Sequence, residues 1–172
     1  TVVISPLIAL MRDQVRALQE LGIKAGAITS GNTQEEIDMV WEDLEQGKLK
    51  LLYIAPERLA AGSALGMLRR IGVSMIAVDE AHCVSQWGHD FREDYLRLEM
   101  LCELFPSVPR IALTATADPT TRQEIVDRLH LGQSNQFVSS FDRPNIHYNI
   151  IEKKDARKQL LTFIHGHHLG AA

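Results

Sequence analysis

Apolar residues along this chain arrive in two rhythms. Unbroken short runs at Thr1-Val2-Val3-Ile4, Ala25 to Thr29, Leu49 to Ala55, Val73 to Val78 and Arg110 to Thr116 predict five strands buried on both faces. A sixth strand is predicted over Gln136 to Ser140. Between the runs the spacing turns helical. Leu7, Met11, Val15 and Leu18 share one helix face, with Ser5 as the expected N-cap, Pro6 at the first helical position and Gly22 closing the helix. Thr33 and Glu36 have the spacing of a capping box, opening a helix to about Gln46. Further helices are predicted near Ala61 to Arg70 with Gly72 as the stop, near Asp94 to Leu104 ending before Pro106, and from the Asp118-Pro119 cap to about Leu129. The texture changes at Asn145. Ile146, Tyr148 and Ile150 alternate like an edge strand, and Asp155 to His165 reads as a helix.

Alternating strands and helices imply an α/β fold, a parallel sheet with helices on both faces. At 172 residues the chain has about the length of one domain. A net charge of −4 excludes a broadly basic nucleic-acid coat, so any such contact must be local. Cys83 and Cys102 show no metal-type pairing, which fits a reducing, cytoplasmic setting. No apolar stretch is long enough to span a membrane, and no signal-peptide pattern occurs. The first residues are already strand-like and lack an initiator methionine, so the chain is expected to be a piece of something longer. Residues 1–144 are expected to form a partial lobe, and 145–172 to begin a connection to a further part.

In an open parallel sheet, sites form beyond the carboxyl ends of the strands. Four strands here end in reactive or polar residues: Ser5-Pro6, Pro56-Glu57-Arg58, Asp79-Glu80-Ala81-His82 and Thr114-Ala115-Thr116. Charge at the end of a buried strand is costly unless it is used, which singles out Asp79 and Glu80. Asp79 suits a hydrogen bond from magnesium-bound water, and Glu80 suits polarising a water that attacks a phosphate. His82 admits two readings, a relay of nucleotide state or a packed imidazole. Beyond it, Gln86, Trp87, His89, Phe91 and Arg92 mix rings with polar groups. Trp87 and Phe91 either stack on bases or pack beneath the loop, and Arg92 can pair with phosphate. Cys83, His82 and His89 do not have zinc-ligand spacing, and His165, His167 and His168 read as a solvated helix end.

These motifs resemble those of superfamily-two helicases. Asp-Glu-Ala-His at 79–82 is similar to the second motif, and Cys83 to Arg92 resembles the aromatic-rich loop of RecQ DNA helicases. Ser5 to Val15 resembles motif Ia, Tyr53 to Leu59 motif Ib, Ala112 to Ala117 motif III, and Phe141 to Asn145 the segment near the end of the first motor lobe. The resemblance implies a RecA-like P-loop NTPase lobe, incomplete at its N-terminus, from an ATP- and Mg²⁺-dependent 3′-to-5′ DNA helicase of recombination, repair and replication. It implies Asp79, Glu80 and His82 on the nucleotide side. It implies Ser5, Pro56, Arg58, Gln86, Trp87, His89, Phe91, Arg92, Thr114, Thr116, Arg143 and Asn145 in DNA contact or coupling. Implied partners are single-stranded and duplex DNA, a second motor lobe and a single-strand-binding protein, in a bacterial, nucleoid-associated setting, with zinc only in a downstream domain.

No Gly-x-x-x-x-Gly-Lys-Ser/Thr occurs in the chain; Gly47-Lys48 is followed by Leu49. In the family it resembles that loop lies upstream of motif Ia, so the resemblance implies phosphate-cradling residues before Thr1. Two other readings stay open: an RNA helicase lobe of the same superfamily, and a non-catalytic single-stranded DNA-binding module.

Overall fold

The structure is a computed structural model that describes residues 1–60, 63–85, 91–132, 135–139 and 143–166. It divides into two compact units, residues 1–134 and 135–172.

In the first unit β1 (Val2–Ile4), β2 (Ala25–Ile28), β3 (Leu51–Ile54), β4 (Ile76–Val78) and β5 (Arg110–Ala112) form one sheet in the order β2-β3-β1-β4-β5. Every pairing is parallel. The registers align Ile28, Ile54, Ile4, Val78 and Ala112 across the sheet, so all five strands end on one line. Side chains alternate between faces along a strand. Val2, Ile4, Ile28, Leu52, Ile54, Ile76 and Val78 enter the larger core, with Ile37, Leu68, Leu101, Ile125 and Leu129 from the helices. Tyr53, Val3 and Ala27 point the other way, toward Met11, Val15 and Leu18. Helices therefore lie on both faces, as the unbroken apolar runs require.

The helices are α1 (Ile8–Glu20), α2 (Gln34–Glu45), α3 (Pro56–Ala60), α4 (Ser63–Ile71), α5 (Glu93–Leu96), α6 (Glu99–Leu104) and α7 (Pro119–Arg128). Two are capped as the sequence predicts. Thr33 accepts from the Glu36 backbone while the Glu36 carboxylate accepts from Thr33 N–H at 3.0 Å. Asp118 accepts from Thr121 N–H at 2.7 Å, with Pro119 at the first helical position. Both acids sit below their ordinary pKa, chiefly because backbone N–H groups donate to the charged form. Their contribution is present above the ordinary carboxylate range and fades as pH falls through the lowered values. Gly22, at φ 77, closes α1.

Several expectations are corrected. Ser5 does not cap α1 and Pro6 does not begin it: the helix starts at Ile8 after Leu7, with no side-chain cap. Ser5 instead continues the line of β1, its N–H on Ile54 O at 3.3 Å and its hydroxyl turned inward. Pro56 opens the short helix α3 as well as ending the strand run. The helix expected over 94–104 is two short helices, α5 and α6. The fifth strand stops at Ala112, because Thr114 folds its hydroxyl back onto Thr116.

In the second unit, residues 135–139 and 146–150 are not strands. Phe137 is 93% exposed and Ile150 99% exposed. An alternating apolar pattern makes a strand only where a sheet edge takes it up. The expected C-terminal helix is present as α8 (Ala156–Gly166), with no buried residue. Among the described residues, no helix is long and apolar enough to cross a membrane.

Replacing Thr33 by Ala removes one half of the α2 capping box. Unfolding free energy should fall by about 1 kcal/mol, read as a lower denaturant midpoint at unchanged slope.

Candidate active site

One residue beyond the common strand line stand Thr29, Ala55, Ser5, Asp79 and Leu113, in that order across the sheet. The ladder carries on into them: Asp79 N–H donates to Ile4 O at 2.8 Å and Leu113 N–H to Val78 O at 2.9 Å. Five chain segments remote in sequence thus meet at one edge.

Asp79 is the hub. Its Oδ2 accepts from the Ser5 hydroxyl at 3.1 Å and its Oδ1 from Glu80 N–H at 3.0 Å. Its backbone carbonyl accepts from the Tyr95 hydroxyl at 2.9 Å. Ser5 is fully buried and Tyr95 is 1% exposed. A buried hydroxyl needs a partner, and both find it on this one residue. Burial first, then the neighbouring thiol and acids, holds the Tyr95 phenol well above its ordinary pKa, so it stays a donor. Burial and the Asp79 charge also raise Tyr53.

Glu80 follows in a left-handed backbone conformation, φ 48 and ψ 44. A non-glycine residue holds that conformation at a cost of about 1 kcal/mol, and such residues cluster at functional sites. The bend turns the chain from β4 directly into a 3₁₀ turn, Ala81–Val84. It leaves the Glu80 side chain 27% exposed while Ala81, Cys83 and Val84 are buried.

His82 sits between the acid and the end of β5. Its Nδ1 lies 2.8 Å from Thr114 Oγ1 and 3.3 Å from Glu80 Oε2, with the imidazole largely buried. Thr114 Oγ1 in turn donates to Thr116 O at 3.2 Å and accepts from Thr116 N–H at 3.3 Å. His82 thus touches both the acid and the motif-III-like threonine. The 3₁₀ turn is tied to the same strand by Ala81 N–H on Leu113 O at 2.9 Å.

The remaining candidates are placed as follows. Arg58 donates to Thr29 O at 3.1 Å and is half-buried beside the buried Pro56. Phe91 and Arg92 are exposed, with Arg92 N–H on Cys83 O at 3.2 Å. Gln86, Trp87 and His89 lie outside the described residues. Arg143 and Asn145 are exposed in the second unit, in a turn closed by Ile146 N–H on Arg143 O at 2.8 Å. Ser5 is corrected as a phosphate contact: a fully buried hydroxyl committed to Asp79 does not face a polymer. Sequence reasoning missed Tyr95. The only signal for it was a tyrosine four residues after Phe91, in an acidic stretch. Among the described residues, no group of three or more metal-binding side chains gathers.

Residues 1–125 match the family model described as DEAD/DEAH box helicase. The chain belongs to that family. Its helicase sequence is 48% identical over 166 residues to the ATP-dependent DNA helicase RecQ of Pasteurella multocida, covering 96% of this chain and 26% of that protein. It is 45% identical to RecQ of Bacillus subtilis, covering 90% of this chain and 27% of that protein. It is 41% identical to the RecQ-like DNA helicase BLM of Xenopus laevis, covering 98% and 13%. The chain thus spans about a quarter of the length of its bacterial relatives. Its fold is similar to the Pyrococcus furiosus Hef helicase domain, with a TM-score of 0.55 at 20% identity over 76% of this chain and 27% of that one. The parallel sheet is that of a helicase RecA-like domain. Helicase domains of this family work with ATP and Mg²⁺ in general.

Thr114 Oγ1 uses its proton on Thr116, and Glu80 presents an oxygen, so His82 Nδ1 faces two acceptors. Neutral His82 should therefore carry its hydrogen on Nδ1. Nitrogen-15 correlation spectra of the imidazole test this; a hydrogen on Nε2 alone would contradict the network. Thr114→Val, similar in shape without the acceptor, should cost about 1 kcal/mol of stability.

Proposed function

We propose that this chain is most of the first motor lobe of a RecQ-type helicase that couples ATP hydrolysis to 3′-to-5′ unwinding of duplex DNA. The observation that carries the proposal is the joint anchoring of Asp79, Glu80, His82 and Thr114 at the carboxyl edge of a parallel sheet. Names of relatives such as "ATP-dependent DNA helicase RecQ" supply the substrate class.

In this reading Glu80 orients the attacking water and accepts its proton. Asp79, fixed through both carboxylate oxygens, would hold Mg²⁺ through a bound water; its acidic oxygens at a half-buried strand end suit a hard, hydrated cation. Held there, magnesium would supply positive charge against the charge developing on the transferred phosphoryl group. His82 reports between Glu80 and Thr114, and thence to Thr116, which is exposed. In the same reading Phe91 and Arg92, both exposed, meet DNA together with Gln86, Trp87 and His89, and Arg58, Arg143 and Asn145 are further candidate contacts. Residues 145–172 begin the connection to a second motor lobe. The parent protein would act in bacterial recombination and repair at the nucleoid, alongside single-strand-binding protein, with zinc held downstream.

The phosphate-cradling motif is not in these 172 residues, so the chain alone should show no DNA-stimulated ATP hydrolysis. Robust hydrolysis by the purified chain would sink that expectation. In the full-length helicase, Glu80→Gln should lower kcat by about 10³-fold or more while nucleotide and DNA binding persist. Arg92→Ala should leave basal hydrolysis and remove its stimulation by DNA. A duplex-DNA against duplex-RNA unwinding assay on the same protein separates this reading from an RNA helicase.

A further inference from the structure

The conformation of a residue is set by the two peptide planes that flank its Cα. At Glu80 both planes are held at both ends. In the plane before it, the Glu80 N–H donates to Asp79 Oδ1 at 3.0 Å and the Asp79 carbonyl accepts from Tyr95 at 2.9 Å. In the plane after it, the Glu80 carbonyl accepts from Cys83 N–H at 2.9 Å and the Ala81 N–H donates to Leu113 O at 2.9 Å. Four hydrogen bonds therefore hold the left-handed geometry, and such geometry persists only where its surroundings over-determine it. Three of the four come from the backbone or from Asp79 itself. The fourth comes from a side chain outside the acid turn.

That side chain is rigidly rooted. Tyr95 is 1% exposed, packs with Leu98, Leu101 and Val84 in the main core, and stays protonated because of its burial. Its N–H donates to Arg92 O at 2.9 Å, and Arg92 N–H donates to Cys83 O at 3.2 Å, so α5 is stitched to the 3₁₀ turn that follows Glu80. We propose that Tyr95 is a positioning residue for hydrolysis. Its hydroxyl fixes the Asp79–Glu80 peptide plane and thereby aims the Glu80 carboxylate. It touches neither nucleotide nor the reacting atoms. The proposal rests on the reading of Glu80 as the base.

The test is Tyr95→Phe in the full-length helicase, which keeps the ring and deletes the donor. Expected is a fall in kcat for DNA-stimulated ATP hydrolysis of about ten-fold, with KM for ATP and DNA affinity within about two-fold of the parent. Para-aminophenylalanine at position 95 restores an N–H donor in the same place and should return kcat to near the parental level. A kcat for Tyr95→Phe within about two-fold of the parent overturns the proposal, as does a loss that the amino analogue fails to restore. If the phenylalanine variant does not fold, the amino analogue decides alone: parental kcat supports a positioning donor, and a reduced kcat refutes it. Glu80→Gln, run in parallel, keeps the two claims apart. An active Glu80→Gln enzyme refutes the base assignment, whereas an inactive one beside a fully active Tyr95→Phe refutes only the role of Tyr95.

Discussion

A polar group taken out of water must find a partner, and at the carboxyl edge of this sheet that rule organises the whole site. Ser5, Thr29 and Tyr95 carry hydroxyls into places with almost no solvent. Thr29 solves the problem locally, on the Asn32 side chain at 2.8 Å. Ser5 and Tyr95 solve it across the fold, on the carboxylate and the carbonyl of Asp79. One strand end is thereby gripped from β1 on one side and from α5 on the other. The acid turn is held in place by two hydroxyls that need partners and converge on it.

The parallel register brings these groups within reach. With the strand ends on one line, Ser5 and Asp79 become neighbours although 74 residues separate them. A shift of one residue would turn every core side chain to the opposite face. The ladder bonds that extend past the line, Asp79 to Ile4 and Leu113 to Val78, carry the same register into the site. Core packing and site geometry are fixed by one constraint, so a core substitution that slipped β4 against β1 would also misplace Asp79.

Much of this was legible in the sequence, and the limits have physical causes. The five strands, the caps at Thr33 and Asp118 and the Asp79-Glu80 pair follow from periodicity and from charge placed where charge is costly. Ser5 before Pro6 carries every local signal of a helix start, yet the signal lost, since a distant carboxylate competes for the same hydroxyl. Local propensity knows nothing of residue 79. Tyr95 was illegible for a related reason: its partner is a backbone carbonyl, which leaves no mark in the sequence. The runs at 136–140 and 146–150 read as strands because alternation is a pattern of residues, whereas a strand also needs a neighbour to pair with. Gln86, Trp87 and His89, three of the five residues named in the expected DNA-facing loop, fall outside the described residues.

The two faces of the sheet are unequally covered, and that bears on how the site is held. Among the described residues the core on the face of Tyr53 is built with α1, and one helix about 10 Å across spans only two strands or so of a sheet whose strands lie about 4.8 Å apart. Val3, Ala27 and Tyr53 fall beneath it. Ile111, which pairs with Ala77 on the same face, remains 43% exposed, and Leu113 46% exposed. β5 is also the outer strand of this sheet beyond β4. Thr114 follows the end strand of this sheet, and beyond the ladder bond from Leu113 to Val78 its position is set by bonds made within the site: His82 to its hydroxyl, Ala81 to Leu113, and its own turn onto Thr116. Asp79 is anchored by core and sheet, while Thr114 is anchored chiefly through His82 and the 3₁₀ turn.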